Sequence, residues 1–174
     1  LGDPMMTTRQ IVLEPMRRKH LKQILEIENQ VYPRPWTHGV FTDEIAAARR
    51  AQRYYVVASI DGKVVGYAGI MLGVEEAHVT NIAVDPARQG GGIGSYLMHE
   101  LCAVAVDCGC KSMSLEVRVS NKAAQALYSK FGFVPAGIRQ RYYENSEDAI
   151  VMWCHDIDGD EYAAKLASFT GEDQ

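Results

Sequence analysis

Four glycines in five positions, Gly90-Gly91-Gly92-Ile93-Gly94, constrain this chain more than any other feature. They follow a β-rich run, Ala77–Val84, that stops at Asp85-Pro86. They precede Ile93, Leu97, Leu101, Val104 and Cys108, whose spacing predicts one apolar helix face, with Gly109 as its left-handed end. A glycine run at a helix start exposes backbone N–H groups that no side chain covers. The positive end of the helix dipole adds to them, so the turn suits a phosphate or pyrophosphate. The same glycines also suit a tight strand-to-helix turn with no ligand, and both readings stand at this point. ATP and dinucleotide patterns fail. No Lys-Ser/Thr follows the glycines, and the third position of a G-x-G-x-x-G is Ser95 counted from Gly90 or Leu97 counted from Gly92.

The surrounding pattern predicts one α/β domain, a mixed, largely antiparallel sheet flanked by helices. Arg9 to Leu13 reads as a first strand, stopped by Pro15; Leu21, Ile24, Leu25, Glu28 and Val31 follow a helical period. Tyr32-Pro33-Arg34-Pro35-Trp36 breaks that helix, and Thr37 is the expected N-cap of another running to about Arg50. Tyr54–Ile60 and Val64–Leu72 flank Asp61-Gly62, a hairpin signal. After the glycine-rich turn and its helix, Ser112–Val119 is a strand, and Ser120 or Asn121 caps a helix ended by Gly132. Strands over about Phe133–Tyr142 and Asp148–Ile157 complete the sheet. The domain is expected over 9–157, with 1–8 a vector-derived remnant or disordered start ahead of Met5-Met6 and 158–174 an acidic tail.

Composition excludes several classes. The 174 residues are 47% hydrophobic, enough for a core without staples, and the net charge of −4 argues against a dedicated nucleic-acid or membrane-surface binder. No apolar run reaches membrane-spanning length, so a cytoplasmic protein is expected. The four cysteines make no C-x-x-C pair and are expected to pack as small hydrophobes; the five histidines make no metal-binding spacing. No metal is expected. From Asp156 onward there are six acids against Lys165 alone, whereas the preceding 155 residues carry 17 basic and 16 acidic groups. The acidity therefore belongs to the tail, where a short helix around Tyr162–Phe169 is one expectation and disorder another.

Gln89-Gly90-Gly91-Gly92-Ile93-Gly94 resembles the Q/R-x-x-G-x-G coenzyme A loop of the GCN5-related N-acetyltransferases. Asn81-Ile82-Ala83-Val84-Asp85-Pro86 before it fits the same family, as do Leu115-Glu116-Val117-Arg118, Asn121, Ala126-Leu127-Tyr128 and Phe131-Gly132-Phe133 after it. Arg141-Tyr142-Tyr143 and Glu147–Met152 resemble one subgroup, the bacterial enzymes that acetylate a ribosomal protein on alanine. Tyr32 to Trp36 is similar to that subgroup's aromatic-Pro-Trp element, with Arg34-Pro35 as a departure. Archaeal and eukaryotic N-terminal acetyltransferase subunits share much of the pattern.

Acetyl transfer to an amine requires a held cofactor, a neutral amine, a stabilised oxyanion and a protonated leaving thiolate. The resemblance implies acetyl-CoA on Ile82, Ala83, Val84, Gln89, Gly90, Gly91, Gly92, Ile93, Gly94, Ser95 and Asn121, with the Ile82 amide as oxyanion donor. Asn121 also reads as a plain helix cap. Glu116 alternates onto the polar side of its strand with Ser112, Ser114 and Arg118. From the strand alone a Glu116–Arg118 surface pair competes with a catalytic carboxylate, and the resemblance implies the general base. Tyr128 reads from its helix as a core tyrosine, and the resemblance implies the general acid. Tyr32, Trp36, Tyr142 and Tyr143 could wall a peptide slot, with Glu75-Glu76 and Glu144 attracting a basic chain; ordinary loop aromatics and solvated acids are the alternative. The implied acceptor is a protein N-terminus, the alanine of a small-subunit ribosomal protein. A small-molecule amine and a non-catalytic acetyl-CoA-binding module are the alternatives, and a paired acid and base argue against the last.

Overall fold

The computed structural model describes residues 10–48, 50, 52–144 and 146–169. The expectations for 1–8, for Arg9 and for Glu172 and Asp173 lie outside these residues. In chain order the elements are β1 (Val12–Pro15), α1 (Leu21–Val31), α2 (His38–Ala48), β2 (Arg53–Ile60), β3 (Lys63–Leu72) and β4 (Glu76–Val84). Then come α3 (Ile93–Asp107), β5 (Ser112–Arg118), α4 (Lys122–Lys130), β6 (Val134–Tyr143), β7 (Glu147–His155) and α5 (Asp160–Ser168).

The strands form one sheet in the order β1-β2-β3-β4-β5-β7-β6. Every neighbouring pair is antiparallel except β4 and β5. Asp61 and Gly62 both have positive φ, 51° and 78°, the backbone that a two-residue hairpin between twisted strands demands. β2 and β3 are buried on both faces, which explains their near-continuous apolar runs. On one face Leu97, Met98 and Leu101 of α3 pack against Val56, Val65 and Ile70. On the other, Leu21, Ile24 and Ile27 of α1 and Phe41 of α2 cover Tyr55, Val57 and Tyr67.

Two irregularities shape the middle of the sheet. The parallel β4–β5 pairing covers only Glu76↔Ser112, Ala77↔Met113 and His78↔Ser114, after which the two strands part. Within β4 the register against β3 slips, with Gly69 opposite Asn81 and Ile70 opposite Val79, so Thr80 has no partner. Such a bulge bends a strand and re-aims its side chains. The result is an opening flanked by the second half of β4 and by β5.

Residues 158–169 are part of the packed body. α5 buries Tyr162 and Leu166 in the core, the Tyr162 hydroxyl donates to the Phe131 carbonyl at 2.8 Å, and Phe169 stacks on Phe131 at 4.4 Å. Asp160 and Glu161, read in the sequence as tail acidity, occupy the first turn of this helix and complement its dipole. β6, the outermost strand beside β7, is exposed from Val134 to Tyr142.

Candidate active site

The opening holds two adjoining cavities. One, of about 300 Å³, lies beside the glycine-rich turn. The Asp85 carboxylate accepts from the Ala87 N–H at 3.0 Å and starts a short 3-10 turn through Arg88. Gly90 and Gly92 then take φ of 84° and 81°, a left-handed backbone costly for any other L-residue, and α3 begins. At Gly94 the constraint is space rather than φ, since a Cβ there would stand 3.2 Å from Leu127 Cδ2 of α4, which would have to shift. Of the residues expected at a cofactor, Ile82, Ala83, Val84, Gln89, Gly90, Gly92, Ile93, Gly94 and Asn121 line this cavity. Gly91 and Ser95 stand outside the lining, Gly91 exposed and Ser95 buried in the first turn of α3. The sequence reading missed Arg88, Ala123, Ala124 and Leu127, which close it from the loop and from α4.

The second cavity, about 510 Å³, is walled by Tyr32, Trp36, Tyr142 and Tyr143, with Glu116 and Glu144 also on it. All four aromatic residues singled out in the sequence therefore meet, although the loop after α1 and the distant β6 supply them. The cavities share Tyr32, Ile82, Arg118, Asn121 and Tyr128, so those residues mark their junction.

Glu116 does not pair with Arg118. Its Oε2 lies 3.0 Å from Nε2 of His78, and its Oε1 accepts from Arg139 Nη1 at 3.1 Å. His78 in turn places Nδ1 3.0 Å from Ser114 Oγ. The Arg118 guanidinium instead donates from Nη2 and Nη1 to Glu144 at 2.6 and 2.8 Å, and to Glu147 at 3.2 Å. It also lies 4.2 Å from the Tyr143 ring centroid. Ser114, Glu116 and Arg118 on the polar face of β5 thus each find a partner outside the strand. That pairing holds the Glu144 carboxyl below the usual carboxylate range and the Arg118 guanidinium above its ordinary value. Glu144 is therefore committed. Glu75 pairs with Lys111 at 3.4 Å, and neither it nor Glu76 lines the cavity, because both sit at the other end of β4. The expected attraction of a basic chain by Glu75-Glu76 at the slot does not hold.

Tyr128 is 6% exposed, and burial, followed by the nearby Tyr32 and Tyr143, pushes its phenol well above the ordinary tyrosine value. Asn121 Oδ1 accepts from the Ala124 N–H at 3.1 Å, so it caps α4 while facing both cavities. The Tyr32 hydroxyl donates to the Ile82 carbonyl at 2.9 Å and joins the loop after α1 to β4 at the junction. One supporting residue escaped the sequence reading of function. Glu28, 2% exposed, receives the Tyr67 hydroxyl and, at 3.1 Å, the Trp36 N–H, while burial raises its carboxyl. A charged residue on the apolar stripe of α1 was the available signal. Among the cysteines, Cys102, Cys110 and Cys154 are buried as expected of small hydrophobes; Cys108, just past the end of α3, is exposed.

No helix among the described residues is long and apolar enough to cross a membrane. Residues 21–133 match the acetyltransferase (GNAT) family. An N-alpha-acetyltransferase RimI of Mycobacterium tuberculosis is 39% identical over 152 residues, 83% of this chain and 92% of that one. The ribosomal protein bS18-alanine N-acetyltransferase of Escherichia coli is 37% identical over 130 residues, covering 72% and 84% respectively. The crystal structure of the ribosomal-protein-S18-alanine N-acetyltransferase from Escherichia coli superposes with a TM-score of 0.75 at 30% identity, covering 95% of this chain and 99% of that one. Fold, glycine-rich turn and relatives agree: the chain belongs to the acetyltransferase (GNAT) family.

Proposed function

We propose that this chain acetylates the N-terminal α-amine of an alanine-first protein, a small-subunit ribosomal protein of the bS18 type, with acetyl-CoA as donor. The observation that carries this reading is the junction. A cavity beside a glycine-rich helix start and a cavity walled by aromatics and a carboxylate meet at Tyr32, Ile82 and Tyr128. The backbone around Gly90 and Gly92 fits a pyrophosphate, with N–H groups at the start of a fifteen-residue helix and no side chain in the way.

Acetyl-CoA supplies a thioester carbonyl that an amine attacks directly, so that a C–N bond forms as the C–S bond breaks. Glu116 receives the amine proton, directly or through one water. An α-amine titrates near ~8 and is partly neutral at physiological pH, so the demand on this base is modest. His78 and Arg139 orient the Glu116 carboxylate from both sides. In an antiparallel strand the N–H and C=O of one residue face the same way. Because the Ile82 carbonyl already meets Tyr32 at the junction, its N–H faces the opening too, which supports Ile82 as donor to the developing oxyanion. Tyr128, kept protonated by burial, hands its proton to the departing sulfur. Asn121 completes the polar side of the junction.

A panel of acceptors tests the reading. Alanine-first peptides and small amines, including a polyamine and free amino acids, are offered with acetyl-CoA, and the product is located by mass spectrometry. Acetylation of the peptide α-amine with far higher kcat/KM than any small amine is expected. Preference for a small amine would replace this function by the alternative, and no transfer at all would leave a binding module.

A further inference from the structure

We infer that Ser114 acts through His78 to position the Glu116 carboxylate, the three side chains forming one hydrogen-bonded chain; the inference rests on Glu116 as the proton acceptor proposed above. His78 and Ser114 stand outside the linings of both cavities, so their effect on transfer passes through Glu116. They are also the last residues paired between β4 and β5, and past them the strands part to form the opening. Glu116 therefore lies just beyond this fork, with no strand pairing on its β4 side.

The chemistry of the three groups assigns the protons. A carboxylate has none to give, so the 3.0 Å contact between Glu116 Oε2 and His78 Nε2 places the N–H on Nε2. In the neutral ring Nδ1 is then a bare acceptor, and the Ser114 hydroxyl 3.0 Å away donates to it. Ser114 thus selects one face of the imidazole. Turned over, the ring would present Cδ2 to Ser114 and Cε1 to Glu116 and lose both bonds. Arg139, the other partner of Glu116, is a looser support. Its side chain is 53% exposed on the outermost strand and also lies over the Tyr142 ring, 4.4 Å from its centroid. Such an exposed ion pair contributes little in water. The hold on Glu116 therefore falls to His78, and the orientation of His78 to Ser114. A displacement of about 1 Å in a reacting group costs up to about 10²-fold in rate, so the hold matters.

A double-mutant cycle tests the chain. Kinetics are measured for the parent, His78→Ala, His78→Gln, Ser114→Ala and the doubly substituted His78→Ala, Ser114→Ala chain. Each receives the best acceptor of the panel above, and its acetyl-CoA Kd is measured by calorimetry. We expect kcat to fall about tenfold in His78→Ala and about threefold in Ser114→Ala, with acceptor KM and acetyl-CoA Kd within about twofold of the parent. His78→Gln, which restores an N–H donor, is expected to keep kcat within about threefold of the parent. Ser114→Ala is expected to cost nothing further once His78 is alanine, because it acts only through the ring. Long-range proton–nitrogen NMR, at a pH where free imidazole is neutral, is expected to show His78 of the parent in the Nε2–H form.

Parent-like kcat in His78→Ala, an equal loss from Ser114→Ala in both backgrounds, or an Nδ1–H ring overturns the inference while leaving the proposed function intact. Should His78→Ala also lose acetyl-CoA binding, Ser114→Ala and the NMR signature decide, with parent-like kcat or an Nδ1–H ring as the contrary result. Transfer from the parent to no acceptor overturns the proposed function and the inference with it.

Discussion

The two cavities that meet at Tyr128 are made of different material. Away from the junction and the Arg88-Gln89 approach, the smaller is backbone and aliphatic surface: left-handed Gly90 and Gly92, the start of α3, the second half of β4 and Leu127. The larger is side chains, five aromatics and the charged groups Glu28, Arg34, Glu116, Arg118 and Glu144, drawn from α1, its following loop, β5, α4, and β6 with the turn after it. A backbone site is rigid, indifferent to pH and suited to a ligand that never changes, such as the diphosphate end of a cofactor. A side-chain site can move protons and can vary its acceptor, at the cost of holding each charge in place with a partner. Arg118 between Glu144 and Glu147, and Glu116 between His78 and Arg139, are those partners.

Three substitutions break this contrast in decreasing order of effect. Glu116→Gln removes the proton acceptor while retaining most of the shape, and steady-state kcat on an alanine-first peptide is expected to fall about 10²- to 10³-fold. Tyr128→Phe removes the proton given to the thiolate and leaves the ring on Phe133, so kcat is expected to fall about 10- to 100-fold with peptide KM near the parent's. Unaltered turnover in Tyr128→Phe would assign protonation of the sulfur to water. Gly92→Ala forces a Cβ onto a backbone at φ 81°, a strain of about 1–2 kcal/mol, so the KM for acetyl-CoA is expected to rise about tenfold while saturating turnover changes little.

The same contrast explains what was legible in the sequence. The backbone-built half was readable because its cause is local. Glycines at fixed offsets, Asp85-Pro86 before them and a helical apolar period after them need no tertiary partner to be recognised. The hairpin at Asp61-Gly62 and the ends of α3 and α4 at Gly109 and Gly132 were legible for the same reason, and all three glycines have positive φ. The side-chain half was readable only as a list of residues. Glu116 stood out on an alternating strand, but its partners, His78 and Arg139, come from strands 38 and 23 positions away. No sequence pattern chose them over Arg118. The early parting of β4 and β5 was equally hidden, since it depends on where pairing stops and on a bulge at Thr80. Acidic composition left a short helix around Tyr162–Phe169 and disorder both open, and Tyr162, Leu166 and Phe169, at helical spacing among those acids, carry the packing of α5.

The division of labour itself is tested most directly by titrating acetyl-CoA calorimetrically into the parent, Glu116→Gln and Gly92→Ala chains. The account predicts a Kd for Glu116→Gln within about twofold of the parent and one for Gly92→Ala about tenfold weaker. Weakened binding in Glu116→Gln together with parent-like binding in Gly92→Ala would contradict it, placing the cofactor in the aromatic-walled cavity rather than beside the glycine-rich turn.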